Sequence, residues 1–181
     1  MTTTRDSGHL DRQASAVERA PTRIAPYVWA VARISLGWIF LWAFLDKTFG
    51  LGYATPAERA WIDGGSPTSG FLGGVEGPFG DFFQGLAGNA FVDWLFMLAL
   101  LGLGVAFMLG IGMRIAAASA VVLLVLMWMA VLPIVNNPFM DDHLVYAIVA
   151  VGLAATNAGD TWGFGKVWAR SQIVSRYPVL R

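Results

Sequence analysis

The 181-residue chain has no cysteine and only two histidines. The first absence removes disulfides, thiolate metal sites, thiol relays and iron–sulfur clusters together. The second leaves too few ligands for a haem held by two histidines or for a His-rich metal centre, so neither metal nor haem is expected. Charge is also scarce. Charged residues make up 13% of the chain, against about a quarter in an ordinary soluble domain. Twelve basic and twelve acidic residues cancel, which gives no electrostatic footprint for nucleic acid. Residues 1–26 contain no apolar core of a cleaved signal peptide and read as a polar tail. The glycines at 50, 52, 64, 65, 70, 73, 74 and 77 follow no strand and form no phosphate loop. Ser66-Pro67-Thr68-Ser69 has no accompanying catalytic triad.

What is present is apolar length. The chain is 56% hydrophobic, and its apolar residues fall in long runs. Residues 27–49 would form a helix of about 34 Å, enough to cross a bilayer. Further runs cover 91–113 and 115–135. A fourth covers 138–158 if Asn137 caps it and Pro138 takes the first helical position. The expected fold is therefore all-α: a four-transmembrane-helix bundle (27–158), a polar tail (1–26), an outer loop (50–90) and an interfacial tail (159–181). Thr55-Pro56-Ala57-Glu58 reads as a capping box that opens a short helix in the outer loop, and 79–86 as a second one. Trp162, Trp168, Lys166 and Arg170 suggest that the last segment is a helix lying on anionic lipid.

Charge placement sets the orientation. Arg5, Arg12, Arg19 and Arg23 precede the first run, Arg114 lies between the second and third, and Lys166, Arg170, Arg176 and Arg181 follow the fourth. The other two connections are acidic. By the positive-inside rule both termini are cytoplasmic and the 50–90 loop is outside, at the cell membrane.

Small residues recur at Gly102, Ala106 and Gly110, and again at Ala150, Ala154 and Ala158. These suit close helix packing in lipid more than a homo-oligomer seam, which stays the alternative. Trp29, Trp94, Trp162 and Trp168 fit interfacial belts. Trp38, Trp42 and Trp128 lie deeper, where they either pack or line the site of a flat aromatic ligand. Arg33 sits about 9 Å into the first helix, where it snorkels or faces the interior. Asp46, Lys47, Asp93, Asp141, Asp142 and His143 all gather at the outer face. Asp142 and Tyr146 share a helix face, and a histidine beside carboxylates exchanges protons readily.

Arg33-Ile34-Ser35-Leu36-Gly37-Trp38-Ile39-Phe40-Leu41 followed by Asp46-Lys47, then Gly110-Ile111-Gly112-Met113-Arg114-Ile115, then Asn136-Asn137-Pro138-Phe139-Met140-Asp141-Asp142-His143, resemble in order the DoxX/DoxD family of small four-helix membrane proteins. The resemblance covers about residues 27–160. It departs at the start of helix two, where Asp93 stands in place of that family's glutamate. The resemblance implies a membrane subunit of a thiosulfate:quinone-type oxidoreductase, working with a smaller partner subunit. On this reading Lys47, Asp46, Asp141, Asp142 and His143 would carry proton and hydrogen-bond chemistry toward a quinone. Arg33, Trp38, Trp42, Asp93 and Tyr146 would help hold it. The quinone is not covalently bound, and electrons come from substrate or partner. The alternative is a non-catalytic anchor in lipid that docks a redox partner through its outer loop.

Overall fold

The computed structural model of the protein describes residues 24–181. Residues 1–23 of the polar tail read over 1–26, with its four arginines, lie outside them, and its last residues, Ala25 and Pro26, open the first helix. Four long helices organise the described residues: α1 (Ala25–Phe49), α2 (Ala90–Leu109), α3 (Met113–Ala130) and α4 (Asp142–Ala155). No strand occurs among the described residues. α1, α2 and α3 are long and apolar enough to cross a membrane, whereas α4 is shorter, at 14 residues. α1 packs on α2, α2 on α3, α3 on α4, and α4 back on α1, with the first and third contacts the most extensive.

Local chemistry sets the helix ends. Pro26 lies in the first turn of α1, where a missing N–H costs nothing. α1 stops at Gly50, whose positive φ of 60° turns the chain and lets its N–H donate to the Asp46 carbonyl. The Asn89 side chain caps α2 by accepting from the Phe91 and Val92 amides. α2 stops at Gly110, and Gly110 and Gly112, both at positive φ, make the tight turn into α3.

Several boundaries differ from expectation. α3 ends at Ala130 and not at residue 135. α4 covers 142–155 and not 138–158, because Asp141 is the cap and accepts from the Leu144 amide. Asn137 instead folds its own Oδ1 back onto the Phe139 and Met140 amides in a local turn. The Thr55–Glu58 capping box does not form; that stretch makes two short 3-10 turns, Ala57–Arg59 and Trp61–Asp63, without a side-chain cap. The short helix expected over 79–86 is confined to Gly80–Gln84. After Thr156 the chain is a series of single turns; Gly165–Ala169 is one helical turn that carries Lys166 and ends at Arg170, and no longer interfacial helix forms among the described residues.

The core runs between the helices through Leu36, Phe40, Met97, Leu103, Phe107, Ala120, Leu124, Ala150 and Leu153. Trp29, expected at an interface, packs its ring against Gly152 of α4, where an added Cβ would sit 2.7 Å from the indole. Two other glycines fix the α1–α2 seam. A Cβ on Gly37 would stand 2.8 Å from the Met108 amide nitrogen, and one on Gly104 2.8 Å from that of Leu41. The seam glycine of α2 is thus Gly104; Gly102, expected there, has nothing within 4 Å. Gly104→Ala should therefore lower stability by about 1–3 kcal/mol through overpacking against backbone. Gly102→Ala should be neutral or raise stability by up to about 1 kcal/mol through helix propensity. Thermal midpoints in detergent distinguish the two, and equal shifts would refute this assignment of the seam.

Candidate functional site

The ionisable residues expected to converge at one face divide into two groups, with Lys47 in neither. They lie at the end of the helices that carries residues 50–90, here the loop end; Arg33 lies at the other.

The first group fastens the 50–90 segment. Asp46, 2% exposed, accepts from the Tyr53 and Ala54 amides at 3.2 and 3.0 Å. Asp93, in the first turn of α2, accepts from the Ser66 and Thr68 hydroxyls and from the Thr68 amide. Each carboxylate is buried, and its charge is offset by N–H and O–H dipoles from the loop, with no direct ion pair among the described residues. Further along, Val75 and Phe83 bury against Ala130 at the end of α3, and Gly77 comes within van der Waals reach of Leu132 and Pro133. Residues 50–90 therefore form a cap tied to the ends of α1, α2 and α3. Of the aromatics in it, Trp61 meets Trp94 edge-on at 4.6 Å between centroids and Phe83 is buried, whereas Phe71 and Phe82 face outward. Asp46 and Asp93 thus hold backbone and hydroxyl groups, and this capping role is the one that sequence reasoning missed. The signal for it was the run of Ser, Thr and Gly in the loop, which supplies donors without bulk.

The second group is the start of α4. Asp141 Oδ1 caps the helix, and its Oδ2 lies 2.6 Å from His143 Nδ1. Asp142 is exposed and 3.4 Å from the same nitrogen. The aspartate fixes the imidazole plane and leaves Nε2 as the atom available for proton exchange. Ligand atoms of Asp141, Asp142 and His143 lie within 4.8 Å of one another; the Asp141–His143 contact accounts for this spacing as a hydrogen bond. Tyr146 packs against the core one turn deeper. Lys47 does not join the cluster: it is half-buried and makes no ion pair or hydrogen bond with Asp141 or His143. The expected meeting of these three side chains is therefore confined to Asp141 and His143.

The aromatic residues form a surface and not a channel. Trp38 is 49% exposed and stacks obliquely on Trp42 at 5.7 Å, which in turn meets Tyr53 edge-on at 5.1 Å. They make a ladder on the outward side of α1. Trp128 lies near the end of α3 and donates its indole N–H to the Phe139 carbonyl at 2.9 Å, tying down the 131–141 connection.

Arg33 belongs to the opposite end. It is fully buried, so it does not snorkel. One terminal nitrogen donates to the Phe107 and Met108 carbonyls at the end of α2, and the other to the Thr161 and Trp162 carbonyls. Its Nε is buried without a partner among the described residues. Carbonyls in the last turn of a helix have no partner within the helix, and a cation is favoured there. Arg33 is a staple between α1, α2 and the 161–162 turn, and not a ligand group at the loop end. Two shallow surface pockets also lie at this far end, one lined by Arg114, Val121 and Asn157, the other by Gly110, Asp160 and Trp168.

No family model, curated protein or solved structure matches the chain. The fold and site define an all-helical protein with three helices able to cross a membrane and an ordered cap over one end of them.

Proposed function

We propose that the chain is a DoxX/DoxD-like anchor subunit of a redox assembly in the cell membrane, whose outer cap docks a partner subunit. All four long helices span the bilayer as a bundle, both termini are cytoplasmic, and the 50–90 cap is on the outer side. The short α4, about 21 Å long, is preceded by the 131–141 connection, in which Asn137 serves the Phe139 and Met140 amides and Trp128 the Phe139 carbonyl.

The observation that carries the docking role is the fastening of the cap by Asp46 and Asp93. Both outer-end buried carboxylates hold the loop, so Ile62, Phe71 and Phe82, all exposed, stand at fixed positions. Pre-ordered aromatic and aliphatic side chains lower the ordering cost of association.

A second reading has its own observation. The Asp141–His143 pair at 2.6 Å presents an oriented imidazole that can pass a proton to a quinone carbonyl oxygen, with electrons supplied by the partner.

Because the chain lacks cysteine, a Phe82→Cys variant can be labelled at a single site in intact cells with a membrane-impermeant, photoreactive maleimide. The anchor reading expects labelling from outside and light-dependent capture of one partner that also co-purifies with the unmodified chain. Absence of capture, together with stoichiometric quinone in the purified chain that is lost in His143→Gln, would replace the anchor with the quinone-site reading.

A further inference from the structure

A groove of about 420 Å³ runs between α3 and α4 at the end opposite the cap. Its walls are Ala117, Ala118, Val121, Val151, Ala154 and Ala155, and its mouth is framed by Arg114 and Asn157. Ala117 forms a buried floor, while Ala118, Val151 and Ala155 are exposed, so the groove opens sideways, away from the core. Four alanines leave a slot where larger side chains would have filled the angle between two packed helices. Arg114 is the second residue of α3, and Val121 lies seven residues further along, about 10 Å deeper by helical rise. In a membrane-spanning α3 the slot thus begins at the polar boundary and descends into hydrocarbon.

Arg114 gives the mouth its chemistry. It is exposed, donates one hydrogen bond to the Pro178 carbonyl at 3.1 Å, and has no carboxylate partner among the described residues. Its remaining N–H groups form a fork suited to two oxygens of a phosphate. The nearby Arg181, by contrast, is paired with Asp160 at 3.1 Å. An apolar slot ending in an arginine that has no carboxylate partner among the described residues matches an acyl chain joined to an anionic headgroup. A second copy of the chain would instead press an apolar helix face against that arginine, which is costly away from water.

We infer that the α3–α4 groove is a site for an anionic phospholipid, with one acyl chain along the alanine-lined slot and the headgroup phosphate on Arg114. The site needs only the membrane setting, not a partner or a quinone, and can be tested on the isolated full chain. Purified protein in mild detergent is offered phosphatidylglycerol or phosphatidylcholine, and retained lipid is counted by native mass spectrometry. The unmodified chain should prefer phosphatidylglycerol about fivefold, the worth of one interfacial arginine. Arg114→Ala should bring the preference near unity, whereas Arg176→Ala, an exposed arginine outside the groove, should leave it unchanged. Ala118→Leu, which fills the slot from its exposed side, should reduce retention of both lipids without lowering the thermal midpoint. Equal retention of the two lipids by the unmodified chain would overturn the site, as would the same loss in Arg176→Ala as in Arg114→Ala. A dimer converted to monomer by Ala118→Leu, with lipid preference unchanged, would assign the groove to a contact between copies.

Discussion

Replacing Arg33 with methionine should be the most damaging single change in this protein, lowering stability by about 3–5 kcal/mol. The substitution keeps much of the apolar stem and removes the guanidinium. The carbonyls of Phe107, Met108, Thr161 and Trp162 then lose their donor. The two on α2 are in its last turn, where no amide of the helix can serve them. The loss should appear as a drop in thermal midpoint of about 10 °C, taking a few degrees per kcal/mol for a domain of this size. Arg33→Lys should recover only part of it, because one ammonium cannot span two pairs of carbonyls on separate segments as a planar fork does. A midpoint within a degree or two of the unmodified protein would refute the staple.

The second large effect is local. Asp93→Ala removes the acceptor shared by Ser66, Thr68 and the Thr68 amide. Two of these donors lie in a buried setting, so the change costs about 2 kcal/mol in holding the cap closed. Opening of the cap need not unfold the helices, so the loss shows as sub-global exposure. A deficit of about 2 kcal/mol raises the open population about 30-fold, and protease cleavage within 57–75 should accelerate by a similar factor when reclosing is fast. Asp81→Ala, an exposed carboxylate in the same cap, should leave cleavage unchanged. Equal rates for Asp93→Ala and the unmodified chain would show that the apolar contacts of Val75 and Phe83 hold the cap unaided. Arg33 and Asp93 act at opposite ends of the helices, so their effects should add in the double variant.

The same cap bears on the docking proposal. If Phe82 and Ile62 contact a partner, Asp93→Ala should weaken that association although Asp93 itself is buried beneath the surface. The association would then carry the ordering cost that the carboxylate otherwise removes.

The sequence by itself determined the three long helices. Their apolar runs are long enough to cross a bilayer, although the run read over 91–113 passes Gly110, where the positive φ ends α2. It also determined that the ionisable groups are few and gathered at helix ends, because a charge in an apolar run is too costly to be scattered. Only the tertiary structure decided what those groups do. Arg33 reaches carbonyls 74 and 129 positions away, and Asp93 holds a threonine 25 positions back; no periodicity encodes such pairs. The choice of Gly104 over Gly102 for the seam was likewise invisible, since both stand in the same apolar run and only the approach of α1 tells them apart. Helix four was overestimated because Asn137 and Asp141 are both good caps, and the winner was set by which one the Leu144 amide meets. Local sequence fixes which conformations are cheap, but a buried polar atom must find its partner wherever the fold brings one, and that search is settled only when all the helices are packed.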